Sequence, residues 1–88
     1  MKFYEVYDPY YALIKAENEM MAKVEYIASV AQDEGTLRNE IKEVDRDYAV
    51  AMYSRTLSED GKVIPVKEIV EDIKNDRNMI LIVDGALA

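Results

Sequence analysis

The side chains of this chain that could do chemistry are almost all carboxylates and tyrosines. The 88 residues include eighteen Asp and Glu, eleven Lys and Arg and seven Tyr, but no His, Cys or Trp. These absences exclude thiol nucleophiles, catalytic triads with an imidazole base and the usual zinc and haem sites. The three glycines are isolated, so the sequence has no glycine-rich phosphate loop. We therefore expect that the chain is not an enzyme and binds no cofactor.

Two groups of acidic residues are candidates for a metal site. Glu43, Asp45 and Asp47 form the tightest carboxylate group, but alanines stand where a calcium loop needs oxygen ligands. Helix capping explains the same acids. Residues 59–62 contain the acid and lysine of some metal-dependent nucleases, yet their composition predicts a solvated turn rather than neighbouring strands. We therefore expect no metal.

The tyrosines are more informative, because four of the seven fall within residues 4–11. Tyrosine is enriched at protein interfaces, where it provides a large, rigid contact area with a polar tip. Core packing and cross-strand aromatic pairs are the alternative role: Tyr7 and Tyr10 would then pair across the turn while Tyr11 enters the core. We predict a partner-binding surface at this turn, formed by Tyr7, Asp8, Tyr10, Tyr11, Glu5 and Glu17.

The first half of the chain predicts a hairpin followed by a helix. Residues 2–7 and 10–16 are rich in aromatic and β-branched residues, and the Asp-Pro step between them favours two strands over one kinked strand. Asn18 can cap a helix that ends before Gly35. Its predicted core face consists of apolar residues at helical spacing, namely Met20, Val24, Ile27, Ala28 and Ala31, with Met21 beside them.

The second half predicts a strand, two helices and a last strand. Leu37, Ile41 and Val44 have helical spacing, but residues 41–44 also fit a short strand, which we predict. Residues 46–55 favour a helix, although Tyr48, Val50 and Met52 also alternate as in a strand. Residues 58–62 form a turn, and Pro65 suits the first position of a helix that ends at residues 75–78. Its predicted core face is Val66, Ile69, Val70 and Ile73. Residues 79–83 are uninterrupted apolar residues, which predicts a central strand buried on both faces and stopped by Asp84 and Gly85.

This order of elements predicts one α+β domain over residues 1–88. We expect a small mixed or antiparallel sheet of about four strands, in ββαβααβ order, with the helices packed on one face. A domain of this size buries only roughly 60–65% of its unfolded surface, so a homodimer would stabilise it.

The charge of the chain limits the class of partner. Its net charge is −7 and the acids are spread evenly, without a basic patch. Direct binding to nucleic acid is therefore disfavoured, whereas a partner protein with a basic surface is favoured. No apolar run approaches the ~20 residues of a membrane span, and residues 1–11 do not resemble a signal peptide. We expect a cytoplasmic protein that makes no membrane contact.

A stretch of the chain resembles proteins of bacteria and their phages. In residues 11–26 a strand ends in the step Ala16-Glu17-Asn18 and enters a helix that carries Ala22 and then Tyr26. This strand-to-helix unit is similar to one common in small phage accessory proteins, including anti-CRISPR and other anti-defence inhibitors. The resemblance implies a phage setting. In that setting the net charge of −7 and the tyrosine-rich hairpin favour an inhibitor, acting in the host cytoplasm, that blocks a basic nucleic-acid-binding surface of a host nuclease. A structural or regulatory homodimer, antitoxin-like or linked to phage assembly, is the alternative.

Overall fold

The chain folds around one antiparallel sheet. The computed structural model describes residues 1–8, 10–31, 35, 37–55 and 61–83. The sheet order is β3-β1-β2-β4, and every neighbouring pair is antiparallel. The predicted α+β class and the ββαβααβ order are confirmed, with one additional single-turn helix before β3. The elements are β1 Lys2–Val6, β2 Ala12–Ala16, α1 Glu19–Ser29, α2 Leu37–Glu40, β3 Ile41–Val44, α3 Arg46–Ser54, α4 Val66–Lys74 and β4 Met79–Val83.

The helices lie on both faces of the sheet, not on one as we expected. Alternate residues of β1 enter different cores: Phe3 belongs to a cluster with residues of α3 and α4, and Tyr4 to a cluster with residues of α1. In β2, Leu13 and Ile14 divide in the same way. Since all five residues of β2 are buried, a single helical layer would leave apolar surface of this strand in water. The second layer removes that surface from solvent.

The last strand lies at the edge of the sheet, not at its centre as predicted. In the described part of the chain β4 pairs with β2 alone, and the central strands are β1 and β2. The pairing slips between Leu13 and Ile14, which face Ile82 and Ile80. This irregularity places Leu81 and Ile82 together in the core that contains α3 and α4. The uninterrupted apolar sequence of β4 is therefore explained by the helices that cover both faces of the sheet, and not by a neighbouring strand along each of its edges.

Helix α1 forms where predicted, but its inward face was assigned wrongly. The Asn18 side chain caps it by accepting a hydrogen bond from the Met21 amide at 2.9 Å. The residues that it buries are Ala22 and Tyr26. The predicted core residues are exposed instead: Met20 by 72%, Val24 by 50%, Ile27 by 45%, and Ala28 as well, whereas Met21 and Ala31 are partly buried. An aromatic residue and a small residue thus pack this helix on the sheet, and an apolar stripe faces outward.

Helices α3 and α4 form the second layer. The Asp45 side chain caps α3 by accepting a hydrogen bond from the Asp47 amide at 3.0 Å. The predicted helix is therefore confirmed. Pro65 is the residue before α4 rather than its first helical residue. Ile69 and Ile73 of α4 are buried as predicted. The rest of its predicted core face is wrong, because Val66 is 75% exposed and Val70 is 45% exposed.

Some of the residues predicted to form a turn or to end a strand lie outside the described part of the chain. This concerns Asp84, Gly85 and residues 58–60 of the predicted turn. Gly61, which follows them, has a φ of +79°, a backbone conformation that glycine adopts without strain. Within the described ranges, no helix has the length and apolar character that crossing a bilayer requires.

Candidate functional site

A buried carboxylate, Glu5, lies near the turn end of the central hairpin. Its side chain accepts hydrogen bonds from three tyrosine hydroxyls, those of Tyr7, Tyr11 and Tyr48, each at 2.6 Å. Glu5 is only 3% exposed, although it is charged. We call these four residues the Glu5 cluster. A buried carboxylate is costly unless it is hydrogen-bonded, and the three hydroxyls supply those bonds.

The hairpin itself places three members of the cluster. Side chains in a strand alternate between faces, so Glu5 and Tyr7 lie on the same face of the hairpin. Val6 and Ala12 are the last strand pair, which places Tyr11 across from Tyr7 at the turn. The two rings lie 5.5 Å apart and are tilted by 57°, within the range of favourable aromatic pairs. Tyr7 therefore packs on Tyr11.

Helix α3 supplies the fourth member from the layer above. Tyr48 lies in the first turns of α3, and its hydroxyl reaches the oxygen of Glu5 that also accepts from Tyr11. Ala49, the next residue, is fully buried in the core beneath. The packing of α3 on the sheet therefore fixes the place of the Tyr48 ring, which is itself 40% exposed.

The hydrogen bonds determine the protonation states of the cluster. Burial would raise the pKa of Glu5, but the bonds from Tyr11, Tyr48 and Tyr7 outweigh burial and hold that pKa below its usual range. The pKa of Tyr11 is raised by burial and then by its bond to Glu5. For Tyr7 and Tyr48, the bond to Glu5 is the main cause of the raised pKa values. At neutral pH the cluster therefore contains one carboxylate and three neutral phenols.

The outer side of the cluster presents tyrosine rings and phenolic oxygens at the protein surface. In the described structure no Lys or Arg forms an ion pair with Glu5, so its charge is shared only with the hydroxyls. The Tyr7 side chain is 58% exposed. Each phenolic oxygen donates its proton inward and can still accept a bond from outside. A cation placed on this surface would meet aromatic rings, phenolic oxygens and a nearby negative charge.

A further tyrosine fixes the turn from the opposite face of the sheet. The Tyr26 hydroxyl donates to the carbonyl oxygen of Tyr10 at 3.0 Å and accepts from the Tyr10 amide at 3.2 Å. Tyr26 is completely buried, whereas Tyr10 is 37% exposed. The backbone of the turn is therefore held in place while the Tyr10 ring remains on the surface.

The structure brings most of the predicted surface together. Glu5, Tyr7 and Tyr11 form the cluster, and exposed Asp8 and Tyr10 lie in the adjoining turn. The predicted residue that does not join this group is Glu17, which follows β2 at the other end of the hairpin.

There the Glu17 amide donates to the Asn78 side chain at 2.9 Å. The expectation that Glu17 lies near the turn was therefore wrong, because β2 runs away from the turn toward this residue. Sequence analysis also missed Tyr48, whose sequence separation from Glu5 is 43 residues. The sequence analysis also gave Tyr26 no role in fixing the turn. No pattern in the sequence links Tyr48 to Glu5 or Tyr26 to Tyr10.

A second buried charge, Lys15, lies on the same face at the opposite end of the hairpin. Its Nζ donates to the Asp72 carbonyl oxygen, to the Asn75 carbonyl oxygen at 2.8 Å and to Asn75 Oδ1 at 2.6 Å. Lys15 is completely buried, and burial lowers its pKa. These bonds satisfy carbonyls at the end of α4, which have no partner within the helix. The Lys15 site is therefore structural: it holds the end of α4 on the sheet.

The acidic residues considered for a metal site have other roles. Glu43 forms an ion pair with Lys2, with 3.8 Å between Glu43 Oε1 and Lys2 Nζ, and Asp45 caps α3. In the part of the chain that the structure describes, no three His, Cys, Asp or Glu side chains converge as metal ligands would. Residues 59 and 60 lie outside that part.

Comparison with known proteins gives a family. The model of the YosH C-terminal domain matches residues 1–82, which include the whole Glu5 cluster. The chain is 43% identical over 88 residues to the SPbeta prophage-derived uncharacterized protein YosH of Bacillus subtilis (strain 168). That alignment covers 99% of this chain and 56% of the relative, so the chain spans about half of the relative's length. No solved structure gives a significant match.

Proposed function

Since the chain belongs to the YosH C-terminal domain family, we propose that it is a phage-derived accessory protein that binds the basic surface of a partner protein. The prophage origin of its relative supports the phage setting. The Glu5 cluster is the observation that carries the binding proposal. The finer role that we propose is anti-defence: the chain acts in the host cytoplasm and covers the nucleic-acid-binding surface of a host nuclease, as anti-CRISPR proteins do.

The chemistry of the Glu5 cluster favours a Lys or Arg side chain of the partner. An exposed cation–π contact is worth about 0.5–1 kcal/mol, and about 2 kcal/mol when water is excluded. The Tyr7 and Tyr48 rings offer such contacts, and their hydroxyls already point at Glu5. Because these bonds exist before binding, little side-chain entropy is lost when the partner docks.

The net charge of −7 supports the same partner class. An acidic protein is steered toward a basic surface, and this raises the association rate at low ionic strength. The tyrosines and the carboxylate then supply short-range contacts. Binding should therefore weaken with salt but retain a component that depends on the rings.

Catalysis by the cluster is not favoured. A general acid or base works best with a pKa near the working pH. In the cluster the pKa of the carboxylate is lowered and the pKa values of the phenols are raised, so both move away from neutrality. This supports a binding protein without enzymatic activity.

A homodimeric structural or regulatory module is the second candidate. The observation that favours it is the outward apolar stripe of α1, which contains Met20, Val24 and Ile27. Two copies of such a stripe could pack against each other and shield it from water. Under this alternative the Glu5 cluster would be part of the folding core and would have no partner.

Affinity capture from host lysate, followed by binding to the purified captured protein, tests the main proposal. The bait is the wild-type chain or the double variant Tyr7→Ala/Tyr48→Ala, and Val66→Ala on α4 is the exposed apolar control. We expect capture of a basic nucleic-acid-binding protein, roughly tenfold weaker binding by the double variant, unchanged binding by the control, and less nuclease activity in the wild-type complex.

Two results would count against the proposal. The first is a captured partner that binds the double variant and the wild type equally well, with both proteins shown to be folded by circular dichroism. The second is a stable dimer in light scattering with no specific partner, dissociated by Val24→Glu on α1. That result would favour the homodimeric module instead.

A further inference from the structure

Two adjoining depressions lie between α3, α4 and the start of β1. The larger has a volume of about 300 Å³ and is bounded in part by Phe3, Asn75 and Asp76. The smaller, of about 140 Å³, is bounded by Val50 and Val70 among others. Both share Arg46, Ile73 and Lys74 as lining residues, so they form one continuous groove. We call it the α3–α4 groove.

The groove combines an apolar floor with a cationic rim. Phe3 and Ile73 are 3% and 7% exposed and form part of its base. Arg46 is the first residue of α3 and Lys74 is the last residue of α4, so two cations from different helices meet at the groove. Within the described structure neither forms an ion pair. The chain has a net charge of −7, so this pair of cations is a region of positive charge on an otherwise acidic protein.

We propose that the α3–α4 groove binds a small amphipathic organic anion. Its carboxylate or phosphate lies at Arg46 and Lys74, and its apolar body lies in the depression beside Val50 and Val70. A guanidinium presents paired donors that match both anionic groups. Small-molecule sites combine apolar walls with a few polar groups and start at roughly 300 Å³. Here the two depressions together exceed that volume, the smaller one is walled mainly by apolar side chains, and the larger one carries most of the polar groups.

The charged side chains along the groove set the orientation that we propose for the ligand. Asp76 is the acid among the lining residues, and it bounds the larger depression only. The anionic group therefore belongs at the boundary between the two depressions, where Arg46 and Lys74 line both of them. The apolar body then extends between the helices, away from Asp76.

Nuclear magnetic resonance titration of the whole chain, labelled with nitrogen-15, tests this inference. The probes are octanoate, octyl phosphate, octanol and octyltrimethylammonium. We expect both anions to shift the amides of the first turn of α3 and the last turn of α4. Octanol and the cation should bind at least roughly tenfold more weakly, because they lack the charge that the rim recognises. Comparison of octanoate with octyl phosphate distinguishes the carboxylate from the phosphate.

A matched pair of variants supplies the control. Arg46→Gln should weaken octanoate binding roughly fivefold or more, whereas Arg55→Gln makes the same change in net charge at the other end of α3 and should leave it unchanged. Both positions are exposed, so both variants should fold. Equal binding of octanol and octanoate, equal affinity of the Arg46→Gln and Arg55→Gln variants, or shifts confined to α1 would each overturn the proposal.

Discussion

The bonds to Glu5 predict that loss of two chemically identical hydroxyls has unequal effects. Tyr11→Phe and Tyr7→Phe each remove one hydrogen bond of 2.6 Å to the carboxylate. The two rings differ in their surroundings: Tyr11 packs against the buried core, whereas Tyr7 is 58% exposed. Water can therefore replace the Tyr7 hydroxyl more easily than the Tyr11 hydroxyl.

The expected magnitudes follow from this difference. A hydrogen bond to a charged group contributes about 1.5–3 kcal/mol, and a donor lost from a buried site is not replaced. We expect Tyr11→Phe to lower the free energy of unfolding by about 2 kcal/mol. A bridging water recovers most of the Tyr7 bond, so Tyr7→Phe should cost about 0.5–1 kcal/mol. A domain of this size has a total stability of only roughly 5–10 kcal/mol, so both losses can be measured.

Urea unfolding followed by circular dichroism at a series of pH values is the assay. The pKa of Glu5 is lower in the folded protein than its ordinary value of 4.5. The unfolded chain therefore binds more protons between these two values, and the stability contributed by Glu5 is complete above pH 4.5 and is lost as the pH falls through the folded pKa. The cost of Tyr11→Phe should shrink over the same acidic range.

Tyr10→Phe is the matched control. The Tyr10 hydroxyl makes no hydrogen bond to a described residue, so its removal should change the stability little at any pH. The reasoning about Glu5 is refuted if Tyr11→Phe costs no more than Tyr10→Phe. It is equally refuted if the cost of Tyr11→Phe is the same at pH 7 and at a pH where Glu5 is protonated.

Four further substitutions test the packing of the helices. Lys15→Met should lower the free energy of unfolding by about 3 kcal/mol, because the acceptors at the end of α4, including Asn75, would lose their buried donor; urea unfolding measures this. Val24→Asp on the exposed face of α1 should cost less than about 0.5 kcal/mol, whereas Ala22→Asp on its buried face should abolish the thermal transition. Tyr26→Phe should cost about 1–2 kcal/mol and speed hydrogen exchange at the hairpin turn, because both bonds to the turn backbone are lost.

The elements themselves could be predicted because their signals are local. Aromatic and β-branched residues on either side of the Asp-Pro step indicated the hairpin, Asn18 indicated the start of α1, and Asp45 indicated the start of α3. Each signal lies within a few residues of the structure that it determines. The apolar run of residues 79–83 likewise predicted the strand β4, but the predicted central position of this strand in the sheet was wrong. Partner strands and covering helices come from distant parts of the chain, and an apolar run does not distinguish them.

The inward faces of the helices show where hydropathy misleads. In α1 the most apolar stripe faces solvent, and the buried face contains Ala22 and Tyr26. Tyr26 is buried because its hydroxyl hydrogen-bonds the backbone of Tyr10, which lies 16 positions earlier in the chain. The helical spacing of apolar residues carries no information about such a contact. A small residue one turn before it lets the helix approach the sheet closely. The buried surface was therefore set by side-chain shape and by a hydrogen-bond partner, not by which residues are most apolar.

The candidate site was half predictable for a related reason. Tyr7 and Tyr11 share the turn with Glu5, so their proximity followed from the hairpin alone. Tyr48 reaches the same carboxylate from α3, and this depends on how α3 packs. The sequence pattern also treated Glu5 as a surface acid, because carboxylates are rarely buried without partners. The hairpin supplies two of these partners, and the tertiary arrangement supplies the third, Tyr48.

The two buried charges of the hairpin explain how the α3–α4 layer is positioned. Glu5 and Lys15 lie on the same face of the central strands, near opposite ends. Glu5 is bonded by α3 through Tyr48, and Lys15 is bonded by the end of α4 through Asn75.

Between these ends the core consists of Ile, Leu, Ala and aromatic side chains, which would tolerate several arrangements of the helices. A shift of α3 would remove the Tyr48 bond to Glu5, and a shift of α4 would leave the buried Lys15 charge without its acceptors, which costs several kcal/mol. The same bonds that specify the fold therefore also set the phenol rings of the Glu5 cluster and the opening of the α3–α4 groove.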